Sequence, residues 1–317
     1  MQGGRAFDRK KLRDYTGSAL SWLASSLTIA ACGGIVLYLF INGFKEISWN
    51  FLTSEPASSF TNPTTGGIST PIIGTVVLTF IGIVVAFPWA LATSIYLAEY
   101  ADRKGFAAVL RVGIDVLAGI PTIVIAIFGA AIFSNPKLGF LSSMVTNGDE
   151  ASKAFGRSFL VSGLTMAVMV LPFVIKTCEE ALKAVPDTYR EASLAMGASK
   201  WHTTSKIVLP SAKNGIATSI ILGMGRIIGD TAIVWLTLGG TLQMTGVQPW
   251  WKPENWLSTL KNTGSTLTSY IYYTSPAGEG NMSTKAFGAS FILIVIIILL
   301  NIITGVIAKG RKMEEEG

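Results

Sequence analysis

Long apolar runs, each closed off by a short polar segment, set the pattern of this chain. A membrane-spanning helix needs about 20 mainly apolar residues. Six segments reach that length, roughly 18–44, 72–98, 107–134, 159–175, 215–238 and 285–308. The pattern predicts an all-α membrane protein with six transmembrane helices. Pro88 in the second segment and Pro121 in the third predict kinks, read as packing accommodations or as gate hinges. Pro172 precedes the exit of the fourth.

The first apolar run follows Arg5, Arg9, Lys10, Lys11 and Arg13, a flank like that of a signal peptide. The run is too long for a cleaved signal, and more spans follow, so it reads as a retained anchor. Most of the basic residues outside the spans lie in segments on the same side as the N-terminus, the C-terminal KGRK of 309–312 included. Cytoplasmic segments carry that excess, which predicts a multi-pass protein of the plasma membrane with both termini cytoplasmic.

Composition agrees. Of 317 residues, 50% are apolar and only 14% charged, with a mean hydropathy of +0.51; soluble domains carry about 25% charged residues. The net charge of +6 is scattered between apolar runs with no basic face or stripe, which argues against a nucleic-acid partner. Cys32 falls in an apolar run and Cys178 in a polar segment, so no disulfide framework is expected. His202 is the only histidine and has no nearby cysteine ligands; it reads as solvated, with no metal site. No catalytic constellation is visible, and the P-loop pattern GxxxxGK[ST] is absent from the sequence, so the chain does not bind ATP by that motif.

Residues 177–214 are too polar to enter the bilayer and too patterned for a plain loop. Pro186 interrupts the helix leaving the fourth span. Thr188 stands three residues before Glu191, a capping-box arrangement. Gly197 is placed to end the short helix in the left-handed conformation. Ser199 starts another helix that stops near Pro210. Tyr189, Ala192 and Met196 form a small apolar face of the kind that enters a groove on another protein.

The same residues carry a family resemblance. Glu191-Ala192-Ser193, three residues, Gly197, nine residues and Ile207-Val208-Leu209-Pro210 resemble the EAA motif of ABC importer permeases, with serine for the second alanine as the one departure. The resemblance implies a type I importer fold in which this loop docks on an ATPase subunit, with Glu191, Ala192, Gly197, Ile207, Leu209 and Pro210 in the coupling contact. Glu191 is then a helix cap, an ATPase contact or both. GGISTPIIGT (66–75), ATSIYLAEYA (92–101), IDVLAGIPTIV (114–124) and GRIIGDTA (225–232) resemble the permeases of phosphate-specific transport. SIYLAEY and the run 286–302 favour the PstA-type half. These matches divide the chain into a cytoplasmic N-terminus (1–17), an anchor helix (18–44), an importer transmembrane domain (66–308) with its coupling loop (177–214), and a cytoplasmic tail (309–317). The implied partners are a PstC-type permease, two PstB-type ATPase subunits that hold ATP and Mg, and a PstS-type phosphate-binding protein. No cofactor is expected on this chain itself.

Arg226 and Asp230 sit about halfway along the fifth apolar run. Charges at that depth cost roughly 2.5–3.5 kcal/mol each on insertion scales. The resemblance aligns Arg226, Gly229, Asp230 and Thr231 with an Arg-x-x-Gly-Glu-Thr motif, aspartate replacing glutamate. A guanidinium presents a fork of donors that fits phosphate oxygens. On a continuous helix Asp230 lies one turn from Arg226 on the same face, able to restrain it or to accept a proton-bearing phosphate oxygen. The competing reading is an ion pair that only fixes packing. Thr231 and Thr237 are hydroxyl donors or back-bond to their own helix. Gly223, Gly225 and Gly229 form a smooth strip for helix packing or sliding. Arg111 and Asp115 read as an i, i+4 structural pair near the inner interface.

Outside, residues 45–71 read as an irregular loop. The aromatics of 239–284 (Trp250, Trp251, Trp256, Tyr270, Tyr272, Tyr273) read as an interfacial belt or as a docking surface for an external partner. Three other functions stay open: a type I permease for another oxyanion or small solute, a secondary transporter or channel, and a reporter of phosphate supply.

Overall fold

The computed structural model describes residues 3–56, 66–102, 105–142, 156–278, 280 and 282–310. The tail segment 311–317, part of the KGRK run and the middle of the 45–71 loop lie outside them. Among the described residues the chain is helical and without strands. α1 (Gly3–Phe44) is followed by the short α2 (Trp49–Thr53) and then by α3 (Ser69–Ile95), which ends in a π turn, Tyr96–Tyr100. α4 (Phe106–Gly119) and α5 (Thr122–Phe133) form a bent pair, and α6 (Phe159–Lys183) is the long central helix. The inner segment folds as α7 (Asp187–Ala195), α8 (Lys200–Thr203), a π turn and α9 (Leu209–Ser211). α10 (Lys213–Gly229) is followed by a π turn, Val234–Leu238. α11 (Pro253–Lys261), α12 (Leu267–Thr274) and α13 (Ser283–Gly310) complete the chain.

Among the described residues four helices are long and apolar enough to cross a bilayer, or up to six if each of two bent pairs, 106–133 and 200–229, is one span. The first, second, fourth and sixth runs read from sequence fall on the four long helices and the third on the first bent pair, whereas the fifth, 215–238, overlaps only the α10 half of the second. In the third, Pro121 does more than kink. The chain turns by 100° between α4 and α5. Proline disfavours the helical region in the residue before it, and Ile120 is extended at φ −73°, ψ 129°. Pro88 and Pro172, by contrast, lie inside α3 and α6, which continue past them. α6 runs to Lys183, so Cys178 is a buried helix residue rather than part of a polar loop.

α6 supplies the largest share of the core: Phe159, Met166, Met169, Val170, Val174, Ile175 and Leu182 are all buried, against α3 on one side and α10 on the other. α1 packs along α13, where Tyr38 meets Phe287 and Phe40 meets Phe291 with ring centroids 5.5 and 5.1 Å apart. Residues 14–37 of α1 are exposed in this chain.

The Arg111–Asp115 pair does not form. Arg111 reaches across to Glu179 on α6 at 2.5 Å and donates to the carbonyl of Leu97 at 3.0 Å. Asp115 pairs with Lys176 at 2.6 Å, and Lys183 shares Glu179 at 2.6 Å. These bridges hold α4 upright against α6 just before the 100° break. A buried carboxylate is tolerated when it is paired in this way.

Outside, α2 gives the 45–71 segment more order than expected, with Ser48 capping the Phe51 amide at 3.1 Å. The aromatic segment splits in two. Tyr270 and Tyr273 are buried, whereas Trp251, Trp256 and Tyr272 are exposed.

Candidate functional site

The fifth run departs most from a straight helix. α10 stops at Gly229, and Asp230 is extended at φ −83°, ψ 130°. No proline causes this. The carboxylate Oδ1 of Asp230 accepts the Ile233 amide at 2.8 Å, so aspartate caps the segment that follows, as it does at helix starts generally. The Trp235 amide then donates to the Thr231 carbonyl at 2.9 Å, and Gly239, at φ +103°, closes the turn. The break is held from outside: the Thr268 hydroxyl donates to the Asp230 carbonyl at 3.2 Å, and the Leu267 amide to the Thr75 hydroxyl at 2.9 Å.

Asp230 is therefore not one helical turn from Arg226 on a shared face, and the ion pair of the competing reading is not formed. Arg226 makes no ion pair among the described residues. Its Nε contacts the Met169 thioether at 3.2 Å, and its guanidinium carbon lies 5.7 Å from the centroid of the Phe173 ring. Thioether sulfur is a weak acceptor, so most of the donor fork is unspent. The side chain is exposed in this chain, in the middle of the span. Thr237 back-bonds to the Ile233 carbonyl at 2.7 Å and donates elsewhere to nothing.

The glycine strip divides as well. A Cβ on Gly223 would meet Val174 Cγ2 at 2.9 Å, which makes it a close-packing position against α6. At Gly225 and Gly229 a Cβ would meet nothing within 4 Å. Their smooth surface lies open beside Arg226 rather than packed within the chain.

The capping role carries a prediction. Asn caps as well as Asp, whereas Ala costs about 1 kcal/mol. Asp230→Asn should keep the thermal unfolding midpoint of the purified protein, and Asp230→Ala should lower it. Equal losses in the two variants would contradict the cap.

In the segment 177–214, Pro186 precedes α7 as expected, but Thr188 lies inside that helix and forms no capping box. The helix starts two residues earlier than the box requires, with Pro186 at its N-cap and Asp187 in its first turn. Gly197 has φ +81°. The Ala198 amide donates to the Ser193 carbonyl at 3.2 Å and the Gly197 amide to the Leu194 carbonyl at 3.0 Å, a Schellman ending. Ser199 caps α8 through the His202 amide at 3.2 Å. The helix continues through the π turn and Pro210 to Ser211, then bends by 67° into α10. Ser193, the departure from alanine, is buried, and its hydroxyl meets that of Thr203 at 2.8 Å, stitching α7 to α8. Sequence reading missed that role.

Glu191, Ala192 and Gly197 are exposed on this hairpin, as is Pro210, while Ile207 and Leu209 are half-buried, Leu209 against the core. Tyr189, Leu194, Met196 and Trp201 are exposed, Met196 to 88%. The hairpin thus presents an apolar face of Tyr189, Leu194, Met196 and Trp201 that nothing among the described residues covers. The membrane residues Arg226, Asp230 and Thr231 lie at the far end of α10, on a different part of the molecule.

Comparison with known proteins gives one family match. The model of binding-protein-dependent transport system inner membrane components covers residues 90–312. A probable ABC transporter permease, YqgI of Bacillus subtilis, is 27% identical over 92% of this chain and 94% of its own. The phosphate transport permease PstC of Mesorhizobium japonicum is 26% identical, covering 92% of this chain and 88% of its own. PstA 1 of Mycobacterium tuberculosis is 30% identical over 76% of this chain and 70% of its own. Among solved structures, a bacterial alginate ABC transporter in complex with a pentasaccharide-bound periplasmic protein matches at a TM-score of 0.59 and 14% identity, covering 93% of this chain and 94% of that one. The fold is that of a type I ABC importer permease.

Proposed function

This chain belongs to the family of binding-protein-dependent transport system inner membrane components, and from that footing we propose that it carries inorganic phosphate. It is a multi-pass ABC importer permease and not an enzyme. In the proposed assembly a second permease half, PstC-type to this PstA-type chain, completes the path. Two ATPase subunits bind ATP and Mg, and an external binding protein delivers the anion. The termini face the cytoplasm, where the Lys- and Arg-rich segments fall.

The observation that carries the phosphate reading is Arg226: a guanidinium in the middle of a broken span, with its fork free of any carboxylate among the described residues. A charge kept in a membrane at that cost with no carboxylate bonded to it among the described residues is matched to a mobile anion. The anion supplies the missing acceptor as it passes. Asp230 and Thr231 shape the path by holding the helix break open beside Arg226. On ATP binding the ATPase subunits close, push residues 188–208, and switch the spans from inward-facing to outward-facing; hydrolysis resets them. Relatives at this identity serve either Pst half, so the PstA assignment rests on SIYLAEY and the sixth span.

The test is the ATP hydrolysis of the reconstituted complex with its binding protein. Phosphate should stimulate it, while sulfate, molybdate and amino acids should not. Stimulation by one of those solutes alone would reassign the cargo within the same class. Transport without any ATPase subunit would remove the class itself.

A further inference from the structure

Three separate elements converge on the five-residue π turn Tyr96–Tyr100 that ends α3. From α7, Arg190 grips Glu99 with a fork: Nε lies 3.2 Å from both carboxylate oxygens and Nη2 2.8 Å from Oε1. From α8, the Lys200 ammonium lies 5.1 Å from the centroid of the Tyr100 ring. From α4, Arg111 donates to the Leu97 carbonyl at 3.0 Å while holding Glu179 of α6.

Arg190 is shared further. Its Nη1 donates to the Val185 carbonyl at 2.6 Å and its Nη2 to the Leu182 carbonyl at 2.8 Å, both beside the C-terminal end of α6. Nη1 also meets Asp187 at 3.0 Å. The Glu99 side chain is 6% exposed and that of Arg190 16%. The hydrogen bond to Glu99 raises the Arg190 guanidinium above its ordinary range, so it stays charged. An exposed ion pair contributes little. This one is enclosed, bidentate and tied to two backbone carbonyls, which gives it one geometry. The Tyr96–Tyr100 turn has the wider i→i+5 spacing, with the Ala101 amide on the Tyr96 carbonyl at 2.9 Å; such turns recur at functional sites in helices.

We propose that the Glu99–Arg190 pair is the joint that transmits movement of the inner-face hairpin to α3 and α6, with Arg190 and Glu99 as positioning residues rather than ATPase contacts. The proposal rests on reading residues 188–208 as the ATPase-docking loop. The docking surface is the exposed apolar side of the hairpin, and the joint is its enclosed opposite side. A push on α7 then moves the ends of two core helices together. Those helices hold the surroundings of Arg226: Met169 and Phe173 belong to α6.

The experiment uses the permease assembled with its ATPase subunits and compares hydrogen exchange without nucleotide and with ATP plus vanadate. In the wild type, trapping should change exchange in both α7 and α3. In Glu99→Gln, which keeps the shape and loses the charge, the complex should still assemble and α7 should still respond, but the response of α3 should disappear. Glu99→Asp should restore it. Phosphate carried per ATP should fall about tenfold in Glu99→Gln, the scale of a typical coupling between sites. An α3 response unchanged in Glu99→Gln overturns the joint. So does loss of assembly in proportion to loss of transport, which would make the pair purely structural. The exchange measurement needs no cargo, so a wild type that fails to carry phosphate removes the substrate reading and leaves this test intact.

Discussion

Arg226→Ala should lower phosphate uptake by about 100-fold, the scale seen when one aimed donor is removed from a prearranged site, while the complex still assembles. The variant removes no ion pair among the described residues, where the guanidinium meets the Met169 thioether and the Phe173 ring. A merely structural arginine in a membrane has a counter-ion, and its loss strands that partner at a cost of several kcal/mol. Here truncation breaks no such pair among those residues, so stability should fall by much less than that. Arg226→Lys separates charge from shape. It keeps a cation and loses the fork, so uptake should lie between wild type and the alanine variant. The check is initial-rate uptake in vesicles beside a measure of assembled complex. Normal uptake by Arg226→Ala would detach the anion path from this residue.

Gly197→Val should release the ATPase subunits from the complex or uncouple them. At φ +81° a β-branched side chain is strained by about 1–3 kcal/mol, although open space surrounds the position and no Cβ clash arises there. The strain falls on the Schellman ending that sets the angle between α7 and α8. Relieving it would swing the apolar faces of Tyr189 and Trp201 apart, and a partner groove would lose one of them. Gly197→Asn should be tolerated, because asparagine enters the left-handed region readily. Co-purification of the ATPase with each variant measures the effect. Equal recovery with Val and Asn, with hydrolysis still coupled to solute, would contradict the docking role.

Spans were legible in the sequence because apolar length is a local property: four runs fall on the four long apolar helices and the third on the bent pair 106–133. The inner hairpin was legible for the same reason: proline, glycine and serine act on their immediate neighbours, as Pro186, Gly197 and Ser199 do. The capping box at Thr188 failed because Pro186 and Asp187 start the helix earlier. Spacing misled most where charges were concerned. One i, i+4 pair was expected, Arg111–Asp115, and a second, Arg226–Asp230, was the competing reading for those residues; neither formed. Arg111 and Asp115 found partners on α6, whose surface no local window contains. Asp230 satisfied backbone amides instead and broke the helix on which its pairing with Arg226 depended. The Glu99–Arg190 contact spans 91 positions and left no local trace.

The central claim is that this chain forms part of an ATP-driven path for phosphate. Uptake of radiolabelled phosphate in cells with and without the chain tests it most directly, with the cells otherwise identical and kept energised. Uptake that is saturable, falls when the chain is removed and returns with the wild type but not with Arg226→Ala is the predicted result. Equal phosphate uptake in the two strains, with another solute lost instead, would contradict it.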